Sequence, residues 1–370
     1  MLQNHVKVDR QGETVFLNIT LNNPEGAKAP VNASISTMLQ NAIVDDPSSY
    51  RLIISRFSIP AKAIPLYFYQ TLPFPNTNVN KGIYSVSIGY NNTYTAQVYL
   101  ELIPESFQQP QVSTYSLESP NQSQQDSYYY MYSYQNLATM ITKAIRAAIA
   151  AGAGFLPAGV DAYMTYQPST GLFNLLGTQN MANSDNVFDP LNVSIWFNTP
   201  LANFFTGLRT TINTYNSLNG RDEMVSIVNL LNNSSATQDG SNPNIPVGYY
   251  QLTSEFNSDS SLQELARIIV VSNSFGGIAS QSEVTPSNSG SYQNIIADFV
   301  PQASEAAGQY RSKFQYYAQS EFYRRTLMDK TPLNQLQFSF LWQGTSPNVY
   351  RNIILRPEDV LSIQFIFERI

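Results

Sequence analysis

The sequence lacks the residues on which several common kinds of active site depend. Its 370 residues include no cysteine and one histidine, His5, which lies in an N-terminal segment expected to be a mobile arm. This inventory excludes a disulfide, a Ser-His-Asp or Cys-His triad within the fold, and a zinc site of cysteine and histidine ligands. The phosphate-binding patterns GxxxxGKS/T and GxGxxG are also missing, so no cofactor is expected.

Charged side chains are scarce as well, at 12 % of the residues, which is about half the usual share for a soluble domain. The net charge is −6 and there is no basic block, so no specific nucleic-acid partner is expected. Asn, Gln, Ser and Thr supply the polarity, together with 24 Tyr and 20 Phe. Because amides, hydroxyls and tyrosines cost less to desolvate than charges, this composition favours a subunit that packs against neighbours.

No segment predicts a signal peptide or a membrane span. The chain starts with the polar run MLQNHVKVDRQGE, and its most apolar helical stretch, residues 141–160, contains Lys143 and Arg146. That stretch also breaks at Gly152 and Pro157, so it is too interrupted to cross a bilayer. We expect a soluble protein without a transmembrane segment, made in a reducing compartment.

Short alternating segments predict a β-rich fold. Residues 14–21 and 50–59 are rich in β-branched and aromatic side chains, and in residues 360–367 every second side chain is apolar. Residues 162–166 and 172–176 flank the turn sequence PSTG, which predicts a hairpin. Further strands are predicted within 83–103 (two strands), 223–231, 249–255, 264–271, 294–299, 335–342 and 352–355. Many short strands separated by long loops indicate a β-sandwich.

Two helices are predicted within this β fold. The first follows a cap at Ser133 or Asn136 and ends at the glycines that begin at residue 152. Its apolar residues recur at helical spacing: Leu137, Met140, Ile141, Ala144, Ile145, Ala148 and Ile149. The second, at residues 201–208, is short, with Asn198 or Thr199 as its cap and proline at the first helical position.

The expected organisation is an N-terminal arm with one strand, residues 1–30, followed by a single domain, residues 31–370. Insertions into this domain are expected at approximately 104–185 and 209–248. The first of these begins with residues 104–125, which are rich in Pro, Gln and Ser and predict an exposed loop.

A pair of carboxylates is the one kind of active site that the inventory leaves open. The acidic residues considered are Asp45, Asp46, Asp222, Glu223, Asp298 and Glu321. Asp45 and Asp46 precede a proline, as in a turn or a helix cap, and Asp222 follows another turn. Structural roles are favoured for each, so no enzyme is expected, and no catalytic, cofactor-binding or metal-binding residue is assigned.

Five stretches of the chain carry a family resemblance. They are 40–60 (QNAIVDDPSSYRLIISRFSIP) with 64–65 (IP), 132–136 (YSYQN) with 166–173 (YQPSTGLF), 197–205 (FNTPLANFF), 268–274 (IIVVSNS) with 295–301 (IIADFVP), and 323–327 (YRRTL) with 332–333 (PL), 341–342 (LW), 355–357 (LRP) and Phe367. Their order and spacing, more than any single motif, resemble the penton (minor capsid) proteins of virophages and polinton-like viruses. The likeness runs from about residue 36 to the C-terminus.

The resemblance implies an all-β fold, a jelly-roll β-sandwich with insertions that include the one or two short helices. It implies a homopentamer at each five-fold vertex of an icosahedral capsid, beside trimers of double-jelly-roll major capsid proteins. The expected location is then the virion, after synthesis in the host cytoplasm or a viral factory. A host receptor or glycan is a further partner that an exposed vertex leaves open.

Three groups of residues are candidates for contacts with neighbours. Tyr128, Tyr129 and Tyr130 belong to a tyrosine-rich run that either stacks on a sugar or a partner or packs as a strand that leads into the helix, and packing is favoured. Arg311, Tyr316, Tyr317, Arg324 and Arg325 combine cations with aromatics, as contact surfaces do, although the same stretch also fits an ordinary strand pair. His5, Lys7 and Arg10 are candidates for an inner tether in the N-terminal arm.

Two other functions remain open at the level of sequence. One is a carbohydrate- or receptor-binding viral β-sandwich, such as a fibre or knob module, which predicts a compact trimer or monomer with a soluble ligand. The other is a carboxylate-based glycoside hydrolase on a jelly roll, which predicts a cleft with two carboxylates on facing strands.

Overall fold

A computed structural model gives the fold of most of the chain. It describes residues 2–24, 31–60, 63–72, 78, 80–103, 128–181, 192–208, 210–213, 224–227, 245–256, 267–272, 274–275, 282–284, 292–299, 314–317, 325–343 and 350–370. The first twelve described strands are β1 (Gln3–Gln11), β2 (Thr14–Asn22), β3 (Val31–Asn32), β4 (Ser34–Met38), β5 (Tyr50–Ile59), β6 (Tyr67–Gln70), β7 (Lys81–Tyr90), β8 (Thr93–Tyr94), β9 (Val98–Glu101), β10 (Tyr128–Met131), β11 (Ala162–Gln167) and β12 (Leu172–Thr178). The later strands are β13 (Ser194–Asn198), β14 (Thr210–Asn213), β15 (Met224–Ile227), β16 (Tyr249–Thr253), β17 (Arg267–Ser272), β18 (Ser282–Val284), β19 (Tyr292–Phe299), β20 (Phe314–Tyr317), β21 (Arg325–Thr326), β22 (Gln335–Gln343), β23 (Tyr350–Asn352), β24 (Ile354–Leu355) and β25 (Val360–Arg369). The helices are α1 (Tyr134–Ala151) and α2 (Thr199–Ala202).

The chain divides into two compact units. The first combines Met1–Pro65 with Glu264–Ile370, and the second is Leu66–Gln263. The sequence-based division, a single domain with insertions at 104–185 and 209–248, differs from this one. The reason is that the whole of the second unit, and not only the predicted insertions, packs around a hydrophobic core of its own.

The first unit is an antiparallel β-sandwich. Sheet A has the strand order β1-β2-β25-β5-β20, with β21 also paired to β5. Sheet B has the order β18-β19-β17-β22-β23, with β4 also paired to β22. The N-terminal strand β2 lies beside the C-terminal strand β25, in register from Thr14 opposite Glu368 to Asn22 opposite Val360. The first unit is therefore closed by pairing the two ends of the chain.

Aromatic rings fill the space between these two sheets. Phe57 of sheet A stacks on Phe299 and Phe340 of sheet B, with ring centroids 5.0 and 6.0 Å apart. Phe365 of sheet A stacks on Phe338 of sheet B at 5.0 Å. These rings alternate along β25 and β22 with half-buried or smaller side chains, as a sheet with one face in the core requires. The alternation that predicted the last strand is thus confirmed as a core-facing row.

The N-terminal segment is more ordered than expected. Residues 1–30 were predicted as an arm with one strand, but β1 and β2 form a hairpin that turns at Gly12, whose φ is +61°. The left-handed conformation of this residue suits glycine, which has no Cβ to clash. β1 was missed because none of its residues is buried, so its sequence shows no apolar alternation.

The second unit packs three groups of strands around one helix. One sheet has the order β14-β15-β13-β7-β8, with β9 also on β7, a second has the order β11-β12-β16, and β10 pairs with β6. The predicted hairpin is confirmed as β11 and β12. All of these groups contribute to the core, with Tyr67, Tyr69, Phe173, Phe197 and Phe205 as its largest buried side chains.

Helix α1 confirms the helical pattern in the sequence. Ser133 caps its start, because the Ser133 Oγ accepts a hydrogen bond from the backbone N–H of Asn136 at 3.2 Å. The predicted apolar positions face the core, and Thr142 Oγ1 both donates to the carbonyl of Met164 and accepts from its N–H. These bonds fix the helix against β11. The second predicted helix is shorter than expected, since α2 covers four residues after its Asn198 cap and a 3-10 turn follows.

The core between sheets A and B leads to a testable difference between neighbouring residues of β25. Replacing the fully buried Phe365 with Ala should lower the free energy of unfolding of the first unit by about 3–5 kcal/mol. The substitution removes the contacts of this ring with its aromatic neighbours and leaves a cavity. Ile366→Ala, on the opposite face of the strand, should cost about 1 kcal/mol. Guanidinium unfolding followed by Trp342 fluorescence, in a Trp196→Phe background, measures both. Equal losses would contradict the assignment of the two faces.

Candidate assembly surfaces

The tyrosine run that precedes helix α1 belongs to the interior of the second unit. In strand β10, Tyr129 pairs with Tyr69 of β6, and its side chain is only 6 % exposed. The Tyr129 hydroxyl donates to Asn80 Oδ1 at 3.4 Å, and burial raises the pKa of this phenol. This corrects the expectation that Tyr129 is an assembly contact, because the side chain is already used in its own core. For Tyr128 and Tyr130, whose backbones lie in β10, a contact role stays a prediction.

The stretch rich in cations and aromatics contributes two short strands to sheet A. β20 and β21 both pair with β5, as the strand-pair interpretation predicted. The backbones of Tyr316, Tyr317 and Arg325 lie in these strands, whereas Arg311 and Arg324 lie outside the described residues. A contact role for these five residues stays a prediction, now attached to one edge of sheet A.

The three residues predicted as an inner tether lie in strand β1 and not in a mobile arm. Because side chains alternate along a strand, His5 and Lys7 are on one face and Arg10 is on the other. The Lys7 Nζ lies 2.8 Å from the Asp9 carboxylate. Arg10 donates from its Nη2 to the backbone carbonyls of Ala42 and Ile43, at 3.1 and 3.2 Å. The tether therefore remains a prediction for an ordered strand.

Sequence reasoning missed the outer face of sheet A, which is the side turned away from the aromatic core. It consists of the outward-facing residues of three adjacent strands, and a bulge in β5 places two consecutive residues on it. These residues are Thr14, Phe16, Asn18, Thr20 and Asn22 of β2, Ser362, Gln364, Ile366 and Glu368 of β25, and Arg51, Ile53, Ser55 and Arg56 of β5. Most of these side chains are neutral and half-buried. The strand pattern predicts such a face, but its composition depends on the register between strands that are distant in sequence.

Hydrogen bonds between side chains cross this outer face. The Asn18 Oδ1 accepts from Gln364 Nε2 at 2.9 Å and from Arg56 Nη2 at 3.4 Å. The Ser55 Oγ donates to Gln364 Oε1 at 2.6 Å. The bonds connect β2, β25 and β5 and restrict the rotamers of all four side chains. A surface that is already ordered loses less conformational entropy when a neighbour covers it.

One apolar row lies beside these hydrogen bonds. Phe16 pairs in register with Ile366, and Ile366 pairs with Ile53, so three large side chains follow each other across three strands. All three are half-buried in the single chain. An apolar centre with neutral polar surroundings is the composition found in the middle of protein interfaces. The outer face of sheet A therefore has the chemistry of an assembly surface.

A second ordered surface, in the second unit, is centred on Arg146 in the C-terminal half of helix α1. Arg146 donates from Nε and Nη2 to the two carboxylate oxygens of Asp161, at 3.0 and 2.9 Å. The Tyr249 hydroxyl donates to Asp161 Oδ2 at 2.7 Å, and the Tyr163 ring lies 5.4 Å from the Tyr249 ring and 5.5 Å from the Arg146 guanidinium. We call these four residues the Arg146 cluster. Arginine and tyrosine held in fixed positions are frequent at interface centres.

Burial and hydrogen bonding within the Arg146 cluster shift the pKa values of its members, and the shifts of Asp161 and Tyr249 bear on its protonation state. Partial burial alone would raise the pKa of Asp161, but the hydrogen bonds from Arg146 and Tyr249 outweigh it, so the pKa of this carboxyl is lowered. Burial, together with the hydrogen bond to the carboxylate, raises the pKa of Tyr249 to about 12. Asp161 thus stays ionised and Tyr249 protonated at neutral pH, which keeps the cluster in one state.

Among the carboxylates considered for catalysis, Asp46 and Asp298 have structural partners, and Asp45 is exposed. Asp46 caps a 3-10 turn, accepting hydrogen bonds from Ser48 and Ser49, and these bonds lower the pKa of its carboxyl. Asp298 pairs with Arg267 in sheet B at 2.8 Å, and Arg267 also donates to Gln343 and, at 3.2 Å, to the Tyr350 hydroxyl. The residues Asp222, Glu223 and Glu321 lie outside the described part of the chain.

Two further properties can be stated for the described residues. They include no group of three or more acidic or histidine side chains that is arranged to hold a metal ion. In the same part of the chain, no helix combines the length and the apolar character needed to span a membrane.

The first unit is a β-sandwich with an ordered, mostly neutral outer face, and the second unit has an ordered cluster of tyrosine and arginine. Both features are typical of structural proteins that pack against other proteins. The family model described as Sputnik minor capsid protein V18/19 matches residues 15–369. The chain therefore belongs to this family of minor capsid proteins. It is a structural component of the virion and assembles into a capsid with other capsid proteins.

Comparisons with individual proteins agree with this membership. The chain is 37 % identical to the uncharacterized protein V18 of the Sputnik virophage over 150 residues, which are 39 % of this chain and 86 % of that protein. A chain in the cryo-EM structure of the Sputnik virophage is similar over 97 % of this chain and 98 % of its own, with 27 % identity and a TM-score of 0.75. The crystal structure of the mavirus penton protein matches over 98 % of this chain and 100 % of its own, with 15 % identity and a TM-score of 0.58. The expected all-β, jelly-roll fold is confirmed.

The Arg146 cluster leads to a pH-dependent prediction for the second unit. Asp161→Asn should lower the free energy of unfolding of this unit by about 1–2 kcal/mol at neutral pH, because Arg146 and Tyr249 lose a charged acceptor. Since the folded pKa of Asp161 is below its ordinary 3.8, the wild-type advantage is complete above the unfolded pKa and is lost as the pH falls through the lower folded pKa.

The measurement is urea unfolding at a series of pH values, followed by Trp196 fluorescence in a Trp342→Phe background. The matched control is Glu101→Gln in the same unit, where an exposed carboxylate accepts one hydrogen bond from Asn78, and it should change stability by no more than about 0.5 kcal/mol. A difference between wild type and Asp161→Asn that persists undiminished at the lowest pH would show that the carboxylate charge is not its cause.

Proposed function

We propose that this chain is the penton subunit of an icosahedral capsid, with five copies closing each five-fold vertex. The observation that carries the proposal is the likeness to a chain of the Sputnik virophage structure, which extends over 97 % of this chain and 98 % of the other. A likeness of that extent means that no large part of either chain lacks a counterpart. The mavirus penton protein shares the fold, which supports the same position in the shell.

The composition of the surface supports a ring of identical subunits. A closed five-fold ring uses heterologous contacts, in which one surface of each copy meets a different surface of the next. Each copy therefore needs at least two surfaces that can be desolvated at low cost. The outer face of sheet A, with its row of Phe16, Ile53 and Ile366, and the Arg146 cluster are two such surfaces, and both are held in place by hydrogen bonds within the single chain.

The neighbours of this ring are proposed to be trimers of double-jelly-roll major capsid proteins. The support is the family resemblance in the sequence together with the membership in a family of minor capsid proteins, which assemble with other capsid proteins. Synthesis in the host cytoplasm or a viral factory, before incorporation into the virion, is part of the same proposal. The family supports a structural role without catalysis, and so do Asp46 and Asp298, whose partners are structural.

The number of copies in the purified assembly tests the proposal. Native mass spectrometry and light scattering over a concentration series should give a mass close to five times that of the 41.3 kDa chain, and negative-stain images should show five-membered rings. A stable trimer would contradict the vertex assignment and favour a fibre-like receptor module. If the chain is monomeric alone, the count is made on rings released from virions, where any number other than five overturns the proposal.

A further inference from the structure

The central strand of sheet B, β17, is buried on both of its faces. Its residues 268–271, with the sequence Ile-Ile-Val-Val, are all 6 % exposed or less. Val270 lies opposite Phe340 on the side of the aromatic core, whereas Ile269 and Val271 belong to a second apolar cluster on the other side of the sheet. Apolar alternation fixes the register of a strand only where one face is buried and the other is not. The apolar residues of β17 therefore carry little information about its register.

A slip of β17 by one residue along β22 changes the apolar burial of the strand little. The slip turns every side chain to the opposite face, but it mostly exchanges one isoleucine or valine for another. Arg267 is different, because the slip moves its guanidinium to the side of the sheet that carries Trp342 and the aromatic core. Ser272, at the other end of the strand, donates to the backbone carbonyl of Gln337 at 2.8 Å, and backbone acceptors recur along β22 in any register. Arg267 is therefore the residue of β17 that distinguishes one register from the next.

A row of polar side chains crosses sheet B at the Arg267 end of β17. Arg267 donates to Asp298 Oδ2 of β19 at 2.8 Å and to Gln343 Oε1 of β22. It also donates to the Tyr350 hydroxyl of β23 at 3.2 Å. The strands β19, β17, β22 and β23 are neighbours in this order, so four adjacent strands meet at one guanidinium. We call these four residues the Arg267 row. The planar guanidinium holds its donors at fixed angles, which makes such a contact sensitive to position.

The burial of the Arg267 row makes it better suited to selecting a register than to adding stability. The side chains of Arg267 and Asp298 are 21 % and 25 % exposed, and Gln343 is 6 % exposed. Removing two charges from water costs about as much free energy as their attraction returns, so the pair adds little net stability. A slip that separates the two charges is costly, because each is then left partly buried without its partner. The row thus separates in free energy those registers that apolar burial leaves nearly equal.

We propose that the Arg267 row fixes the register of sheet B, that is, which residue of β17 lies opposite each residue of β22. Without the row, registers slipped by one residue are populated beside the native one. A polar group in an apolar setting is known to select one register among several in this way. The inference goes beyond the penton function, because it concerns how the subunit reaches a single structure. A shell of identical subunits needs that single structure, since every copy must present the same surfaces.

Disulfide trapping measures the register directly, because the chain has no cysteine of its own. Ser339→Cys is the fixed reporter on β22, and Ser339 lies opposite Val271 in the native register. Val271→Cys therefore reports native pairing, while Val270→Cys and Ser272→Cys each report one of the two one-residue slips. In the native register the side chains at these two positions point to the opposite face, so they cannot reach position 339. The fraction of each disulfide is measured by mass spectrometry after mild oxidation of the folded full-length protein.

Arg267→Met with Asp298→Val removes the row without leaving a lone charge. With the wild-type row, only the Val271 reporter should form a disulfide. In the double variant, the fraction of at least one slipped disulfide should rise by about tenfold or more, the effect of losing one charge-assisted hydrogen bond. The matched control, Ile269→Val with Val270→Ile, exchanges two apolar residues of β17 and is measured with the other two reporters, where it should behave as wild type. Slipped disulfides that are equally rare with and without the row would overturn the proposal.

A relocation of the arginine tests the row in the opposite direction. Arg267→Ile with Ile268→Arg moves the arginine one position along β17. In the native register it then faces the aromatic core, whereas a one-residue slip returns it to its place opposite Gln343. The disulfide of the Ser272 reporter should therefore replace that of the Val271 reporter as the main product. A relocated protein that keeps the native disulfide contradicts the proposal.

Circular dichroism of each variant is compared with wild type before oxidation. If the variant without the row does not fold, Arg267→Lys takes its place. Lysine keeps the charge beside Asp298 but lacks the planar group that binds three acceptors at once, so the slipped fraction should exceed that of wild type. A slipped fraction equal to that of wild type in Arg267→Lys would then show that the row does not set the register.

Discussion

The first unit depends on one long-range pairing, the insertion of the C-terminal strand β25 between β2 and β5. β25 is in register with β2 along nine residues and with β5 along most of its length. Its Phe365 and Phe367 are fully buried, and Phe365 stacks on Phe338 of the facing sheet. β25 therefore joins the two halves of sheet A and also contributes to the aromatic core. Everything described for the surface of this unit, including the outer face and the β1 edge, follows from this arrangement.

The same strands both fill the core of the first unit and form its outer face. Alternation sends one set of side chains into the aromatic core and the other set outward, where Asn18, Gln364 and Ser55 form a neutral hydrogen-bonded surface beside Phe16, Ile53 and Ile366. The edge strand β1 continues sheet A beyond the core, and none of its residues is buried. The outward-facing set therefore gives the first unit a surface suited to side-chain complementarity with a neighbour.

The second unit shows how a chain poor in charge places the few charges it has. Its core is aromatic and aliphatic around helix α1, and Arg146 is held at the surface by Asp161 and Tyr249. The two hydrogen bonds from the guanidinium to the carboxylate fix the arginine, and the tyrosines fill the space beside it. An arginine that is already neutralised and ordered costs less to bury at a contact than a free one. This is the behaviour expected of a subunit in a virion shell.

Local pattern determined much of this structure. The alternation at residues 50–59 and 360–367 and the hairpin around PSTG predicted β5, β25, β11 and β12 almost to the residue, because a strand with one buried face must alternate. The helical spacing after Ser133 predicted α1, since the cap is a local interaction. The order of five short stretches predicted the family that the whole-chain match then established.

Only the tertiary structure decided which side chains of each strand face the core and which form a surface. Tyr129 looks like its neighbours in sequence, but pairing with β6 turns it into the core. Phe16, Ile53 and Ile366 form one surface row because β2, β5 and β25 align in a register that joins the two ends of the chain. β1 has no buried side chain and thus no sequence signal, and its pairing with β2 makes it a strand. Period and capping are set by residues a few positions apart, whereas register and edge exposure are set by contacts between distant segments.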